Sequence, residues 1–558
     1  MESIKKRNKL SYSIKPFCGS INKLLILIAV FSLLATTTIH PVPANACASG
    51  DMNGDGQVTV ADALLALQIA TGLVPTTASA LANGDVNGDG IINATDALLI
   101  LRRAVGLTNT ISGAFTYSNG AGIQAATVTA STGSTCGTAV SDSKGNYSIP
   151  VYLNGAYTVA PTIFGNIFNP TSLSATVNGT NVTGVNFTEQ SNILPITVNG
   201  SLCSSGSYTN KPCVSVTICS PGTSTCQTIN DILLDTGSYG LRILNQAMTV
   251  PLTQVASGSG QLAECVQFGD GSSEWGPVQM ASVILGNEPA VQIPVHVVNQ
   301  SFGVPPSGCN GQYADTSPTE AGFNGILGVG LFGEDCGSIC TTSANNPGYY
   351  YACTGSTCTV TTVPDAKQVI NPVAALPADG DNNGVLVLLP SVALGGVPSV
   401  SGGLIIGIGT QTNNQPATAT GYPADPTYGE FTTSFGGNTF TDGGFIDSGS
   451  NGLYFDASTR LITQCSKYSN ASGYFCPSTT LSLSATNSGY TGSPSGTVNF
   501  EIGNVSDLFN TSNNVFSEFG GYSQGEFDWG LPFFFGKEVF VGIEGTTSSL
   551  GTGPYWAY

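Results

Sequence analysis

Two short runs in the second half of the sequence carry acids in matched surroundings. Leu233-Leu234-Asp235-Thr236-Gly237-Ser238-Tyr239-Gly240-Leu241-Arg242-Ile243 aligns without a gap against Phe445-Ile446-Asp447-Ser448-Gly449-Ser450-Asn451-Gly452-Leu453-Tyr454-Phe455, and five of the eleven pairs are identical. Each run presents one Asp on a turn that leaves an apolar strand. Two carboxylates held about 3 Å apart cannot both ionise, so one keeps a proton. The ionised partner can then activate a water while the protonated one polarises a carbonyl. Thr236, Ser238, Ser448 and Ser450 supply hydroxyls that can hold the two acids, and Gly237 and Gly449 permit a close approach of backbones. Rival chemistries lack residues. His40 and His296 are the two histidines, and His296 sits in an alternating run, Val291 to Val298, that reads as a packed strand. That leaves too few histidines for a multi-His zinc site and one poor candidate for a Ser-His-Asp triad.

A second acidic pattern lies near the N-terminus. Asp51-Met52-Asn53-Gly54-Asp55-Gly56 returns as Asp85-Val86-Asn87-Gly88-Asp89-Gly90. Calcium requires six or more oxygen ligands on a sharply turned loop. Asp51, Asn53, Asp55, the Gln57 carbonyl and Asp62 fall at loop positions 1, 3, 5, 7 and 12. Asp85, Asn87, Asp89, the Ile91 carbonyl and Asp96 repeat them, with Thr59 and Asn93 at position 9. Two calcium ions are expected.

The elements that must position these groups follow from periodicity. Each calcium loop is followed by an apolar helical run, Val60–Gly72 and Ala94–Gly106, and only a few residues precede the first loop. Residues 111–189 alternate apolar and β-branched residues between Asn-Gly turns, a β pattern in which Gly145–Ile149 and Gly155–Val159 look like paired strands. Gly384–Gly409 is uncharged, but Pro390, Pro398 and several Gly divide it into buried strands rather than a membrane span. Before residue 47, Lys5, Lys6, Arg7, Lys9, Lys15 and Lys23 precede an apolar Leu24–Leu34 and the small-residue site Ala44-Asn45-Ala46, the form of a signal peptide over residues 1–46. Acylation at Cys47 is the alternative, although an apolar residue is missing three places before it. Without residues 1–46, nine basic and 33 acidic residues remain, which argues against nucleic acid and anionic membrane as partners. Twelve cysteines, Cys203 to Cys476, allow up to six disulfides in an oxidising compartment, with the pairing left open.

Three resemblances follow from these residues. The paired loop-helix units resemble the dockerin type I module, which implies calcium-dependent folding and a cohesin-bearing partner. Residues 111–189 resemble the small prealbumin-like sandwich called carboxypeptidase regulatory-like. The two Asp runs resemble the signatures of the pepsin-like aspartic proteases. In that comparison Val266–Ser272 stands where the family has its flap, and Phe323–Gly328 and Trp529–Phe535 stand at the second signatures of the two lobes. The chain also resembles an uncharacterised bacterial exported family with the same two Asp signatures. The resemblance implies a catalytic pair Asp235 and Asp447, support from Thr236, Gly237, Ser238, Ser448, Gly449 and Ser450, and a cleft without metal. Departures are Phe268 in place of the flap tyrosine, Pro532 where a glycine is expected after Leu531, and an insertion around Cys336, Cys340, Cys353 and Cys358.

The expected organisation is a mainly β chain: signal 1–46, a small helical dockerin-like module 47–108, a β-sandwich 111–189, and a bilobed pepsin-like double-ψ domain with lobes 192–395 and 396–558. The expected function is exported peptide-bond hydrolysis, either secreted or at the cell surface, with no transmembrane helix in the processed chain. Two other readings stand beside it. One is a catalytically silent peptide- or protein-binding member of the same fold; the other is a carbohydrate-active or assembly component anchored through dockerin–cohesin pairing.

Overall fold

The computed structural model describes residues 49–558 apart from 117–121, 133–135, 163–167, 190–191, 205–207, 312, 344–345, 379 and 458–460. The expected signal segment and Cys47 lie outside the described residues. The chain forms two compact units that divide between Gln190 and Ser191.

The first unit begins with three helices: α1 (Val60–Ala70), α2 (Ala78–Gly84) and α3 (Ala94–Ala104). The two long ones start where the calcium loops end. Thr59 and Asn93 are their N-caps, and Asp62 and Asp96 complete a capping box in each case. Gly72 and Gly106, at φ 77° and 73°, stop them in the left-handed region. The short helix α2 was not expected from the sequence. Met52, Ala66, Ile69, Val86 and Ile100 form the core between the helices.

Two four-stranded sheets follow. One runs Asn146–Val151, Asn109–Thr116, Phe187–Glu189, Phe168–Asn169; the other runs Cys136–Val140, Thr127–Ser131, Gly155–Thr162, Leu173–Val177. Phe115, Tyr147, Tyr157 and Phe187 are buried between them. The expected pairing of Gly145–Ile149 with Gly155–Val159 is not found. Asn146–Val151 pairs with Asn109–Thr116, whereas Gly155–Thr162 pairs with Thr127–Ser131 in the opposite sheet. The corner between them turns the chain from sheet to sheet because Tyr152 is drawn into the helical core.

The second unit is almost wholly β. Strand Ile193–Val198 lies between Pro212–Cys219 and Val400–Ile406, antiparallel to both. Gly384–Leu388 pairs with Val400–Ile406 and with Glu538–Gly542, so the uncharged Gly384–Gly409 segment is a hairpin, buried over Gly384–Val387 and Gly403–Ile406 and exposed around the connecting Leu394. The two Asp-bearing strands share one local pairing rule. Cys226–Asp235 runs parallel to Gly325–Val329, and that strand also runs antiparallel to Tyr239–Leu244. Likewise Asn438–Ile446 runs parallel to Phe527–Trp529, which runs antiparallel to Leu453–Phe455. Each Asp turn thus spans the edges of a strand threaded between its two arms.

This register corrects the sequence alignment. Leu234 pairs with Leu327 and Asp235 with Gly328, whereas Ile446 pairs with Trp529, and the Asp447 N–H donates to the Trp529 carbonyl. The counterpart of Leu327 is therefore Trp529, not Leu531, and the expected glycine is present as Gly530. A Cβ at Gly328 would lie 2.6 Å from the Tyr239 nitrogen and one at Gly530 would lie 2.0 Å from the Gly452 carbonyl oxygen, so both positions exclude a side chain for the same reason. Pro532 begins the short helix Leu531–Phe534, where a missing N–H costs nothing.

All twelve cysteines of this unit are paired: Cys203–Cys213, Cys219–Cys226, Cys265–Cys309, Cys336–Cys340, Cys353–Cys358 and Cys465–Cys476. The cysteine-rich insertion forms the hairpin Tyr350–Thr354 and Thr357–Val360, whose first strand adds to the edge of Gly260–Gln267.

Candidate carboxylate site and calcium loops

Asp235 and Asp447 are brought together by turns that clasp one another. The Thr236 hydroxyl donates to the Ile446 carbonyl (2.9 Å) and accepts from the Ser448 N–H (2.9 Å). In return the Ser448 hydroxyl donates to the Leu234 carbonyl (2.8 Å) and accepts from the Thr236 N–H (3.1 Å). These four bonds are related by an approximate twofold axis, and both side chains are buried. The same symmetry holds the acids. The Gly237 N–H donates to Asp235 Oδ1 and the Gly449 N–H to Asp447 Oδ1, both at 2.8 Å. The Ser238 and Ser450 hydroxyls donate to the two Oδ2 atoms, at 2.5 and 2.7 Å.

The glycines have a specific duty. A Cβ on Gly237 would lie 2.7 Å from the Asp447 carboxyl carbon, and one on Gly449 would lie 2.8 Å from that of Asp235. Neither residue has positive φ; what each provides is room for the opposite acid. Asp235 is only 7% exposed, and burial raises its pKa well above the usual carboxylate range. The adjacent Asp447 charge, within hydrogen-bonding reach, raises it further. The arrangement can hold one proton between two acids and present both to a water.

Residues of other elements complete the surroundings, and Tyr208 and Asn210 among them carry no signal in the sequence. Tyr208 donates its hydroxyl to the Gly449 carbonyl (3.1 Å), and Asn210 donates to the Asn451 and Phe516 carbonyls (2.8 and 2.9 Å). Phe268 caps the hairpin between Gly260–Gln267 and Ser273–Ile284, and its turn is closed by the Phe268 N–H to the Ser272 carbonyl. Its ring and that of Tyr208 pack against an apolar wall that includes Leu233, Leu244, Phe323 and Ile326. Beside the Asp235 turn lies a buried ionic cluster. Arg242 donates to Glu264 and Asp335 (3.0 Å each) and to the Tyr239 carbonyl, Tyr350 donates to Asp335 (2.6 Å), and His296 Nδ1 is 3.6 Å from Glu264. Burial holds His296 down to about 4, in the packed strand expected for it. A groove of about 480 Å³ behind the Asp447 strand is lined by Phe500, Trp529, Phe533 and Lys537 and contains neither acid.

The two N-terminal loops share most of their internal hydrogen bonds. Asp51 accepts from the Gly56 N–H and Asp85 from the Gly90 N–H (2.8 Å each). Asn53 and Asn87 accept from the N–H groups of Asp55 and Asp89 (2.9 Å each). Gly56 and Gly90 take φ near 87°, which permits the sharp turn toward Gln57 and Ile91. Asp62 accepts from Met52 and Thr59, and Asp96 from Asn87 and Asn93, so each closing acid is buried at the start of its helix. In the second loop, carboxylate oxygens of Asp85, Asp89 and Asp96 all lie within 4.8 Å of one another. Burial, then the charges of Asp85 and Asp89, raise the Asp96 pKa. Hard, crowded oxygens of this kind fit calcium. Leu64 and Leu67 on α1, and their counterparts Leu98 and Leu101 on α3, stand exposed.

Among the described residues no helix is long and apolar enough to cross a membrane, and six disulfides accord with an oxidising compartment. No curated protein matches the chain. The family described as "Dockerin type I domain", whose members bind calcium, matches residues 49–104. A second family matches residues 188–558, more than half of the sequence. The chain therefore belongs to the family described as "Protein of unknown function (DUF3443)", with a dockerin type I module ahead of the family region.

Proposed function

We propose that residues 191–558 act as an aspartic-type endopeptidase, brought to its place of work by a calcium-loaded dockerin module that docks on a cohesin-bearing partner. The reciprocal Thr236–Ser448 clasp carries the enzymatic reading, because it places two acids together with matched hydrogen bonds to each. In the reaction the ionised acid takes a proton from a bound water as that water attacks the peptide carbonyl. The protonated acid donates to the carbonyl oxygen, and proton return to the leaving nitrogen breaks the C–N bond. The threaded-strand rule common to both halves supports a pepsin-like double-ψ architecture. The dockerin family match supports docking, for which the exposed Leu64, Leu67, Leu98 and Leu101 offer an apolar face.

Two features favour a second reading, a silent peptide-binding protein on the same frame. Phe268 brings no hydroxyl to the hairpin tip, and Tyr208 already occupies the Gly449 carbonyl. The test is cleavage of a denatured protein mixture from pH 3 to 8, with and without pepstatin, beside Asp235→Asn and Asp447→Asn. Activity abolished in both variants supports the endopeptidase. Binding of peptides by folded, oxidised protein without cleavage at any pH supports the silent reading.

A further inference from the structure

Among the described residues, Ser49 and Gly50 lead directly into the first calcium loop. Their backbone is held by the sandwich and by α2, whose Asn83 carbonyl accepts from the Gly50 N–H (2.8 Å). Tyr152, at the corner between Asn146–Val151 and Gly155–Thr162, is 9% exposed and belongs to the same core as Met52, Ala66, Ile69 and Ile100. Its hydroxyl donates to the Ser49 carbonyl (2.8 Å). Arg103, from α3, donates to the same carbonyl and to the Tyr152 oxygen (2.9 Å each), and its guanidinium lies 5.5 Å from the Tyr152 ring centroid. Ser49 in turn accepts through its hydroxyl from the Asp51 N–H (3.1 Å), and Asp51 occupies loop position 1. Gly50, at φ 76°, has no room for a side chain, since a Cβ would lie 2.3 Å from the Tyr152 oxygen. The corresponding stretch before the second loop is α2, which ends at Gly84 and hands its chain to Asp85 through the Asp85 N–H to Leu81 carbonyl bond.

We propose that the sandwich is a working part of the calcium module and that Tyr152 is the positioning residue for the first ion alone. It fixes Ser49, and through Ser49 the backbone at Asp51, so that the loop meets calcium already ordered. The second loop takes its order from α2 and needs nothing from the sandwich. Ordering a loop before its ligand arrives strengthens binding by removing the entropy that binding would otherwise spend.

The test titrates calcium into the full chain by calorimetry, with Tyr152→Phe as the main variant because its ring still fills the core. Asp85→Ala and Asp51→Ala backgrounds assign the two sites, and hydrogen exchange of segments 49–58 and 83–92 gives a second readout in the calcium-loaded chain. Loss of one hydrogen bond to Ser49 should weaken the first site by about threefold to tenfold and speed exchange in 49–58, with the second site unchanged. Tyr152→Ala should weaken the first site further. Equal weakening of both sites, or none at either with unchanged exchange, overturns the role of Tyr152 while leaving two calcium sites standing. A parent chain that takes up no calcium overturns the calcium reading on which the inference rests.

Discussion

Ser448→Ala tests whether the clasp holds the two acids together. The substitution removes the donor to the Leu234 carbonyl and the acceptor of the Thr236 N–H, both in fully buried surroundings. Each lost bond costs about 1 kcal/mol net, and leaving a buried polar group unpartnered adds at least about 1 kcal/mol, so about 3 kcal/mol is expected. Thr236→Val removes the other two bonds and should cost about as much. The four bonds join the same two turns, so the first loss lets the turns part and weakens the remaining pair. The double variant should therefore lose about 4 rather than 6 kcal/mol, a coupling of about 2 kcal/mol within the range found for contacting residues. Urea unfolding followed by tryptophan fluorescence measures this, since Trp275, Trp529 and Trp556 all lie in the second unit and Trp529 accepts the Asp447 N–H. Single losses below about 0.5 kcal/mol, or strict additivity, would refute the interlock.

Three further outcomes follow from the same geometry. Asp235 has a raised pKa in the folded chain, so its burial costs stability as pH rises from the ordinary carboxylate value through the folded one. Asp235→Asn should raise the unfolding midpoint at pH 7 and change it much less at pH 3; equal shifts at both would argue against the pairing. His296 is held at about 4 against an ordinary 6.5, so the unfolded chain binds the extra proton and stability falls by about 3 kcal/mol as pH drops from 6.5 toward 4. His296→Gln should flatten that decline in urea titrations, and a slope identical to the parent's would show that the His296, Glu264 and Arg242 cluster is not its source. Removing calcium with a chelator should abolish much of the helical circular dichroism from residues 49–104. The fluorescence transition of the second unit should be unaltered, and a shared loss would show that calcium acts beyond the helical module.

What could be read from sequence was whatever repeats at short range. Asp235 and Asp447 stood out because the same eleven-residue frame appears twice, and the calcium positions stood out because loop spacing is dictated by the ion. Counting from each Asp to an apolar-Gly segment does not find Gly530, since Trp529–Phe535 offers apolar residues in two registers two residues apart and only strand pairing decides between them. Local spacing likewise misleads on the sandwich pairing: two strands with a short link suggest a hairpin, yet that link, with Tyr152 in the helical core, is a corner between sheets. Tyr208, Arg242 and Tyr152 act on partners far along the chain, at Gly449, Asp335 and Ser49, and no periodicity marks such contacts. The buried Lys211–Asp231 pair (2.7 Å), joined across a shorter stretch, has no periodic mark either.

The six disulfides of the second unit join each cysteine to the next in order, so no bridge encloses or crosses another. Within residues 203–476, pairing each thiol with the first one to follow it yields these six bridges, so an oxidant acting from the N-terminal side can form them without a shuffling step. A host that supplies oxidising equivalents and lacks isomerase should therefore form these six bridges, a practical advantage for making the variants described above.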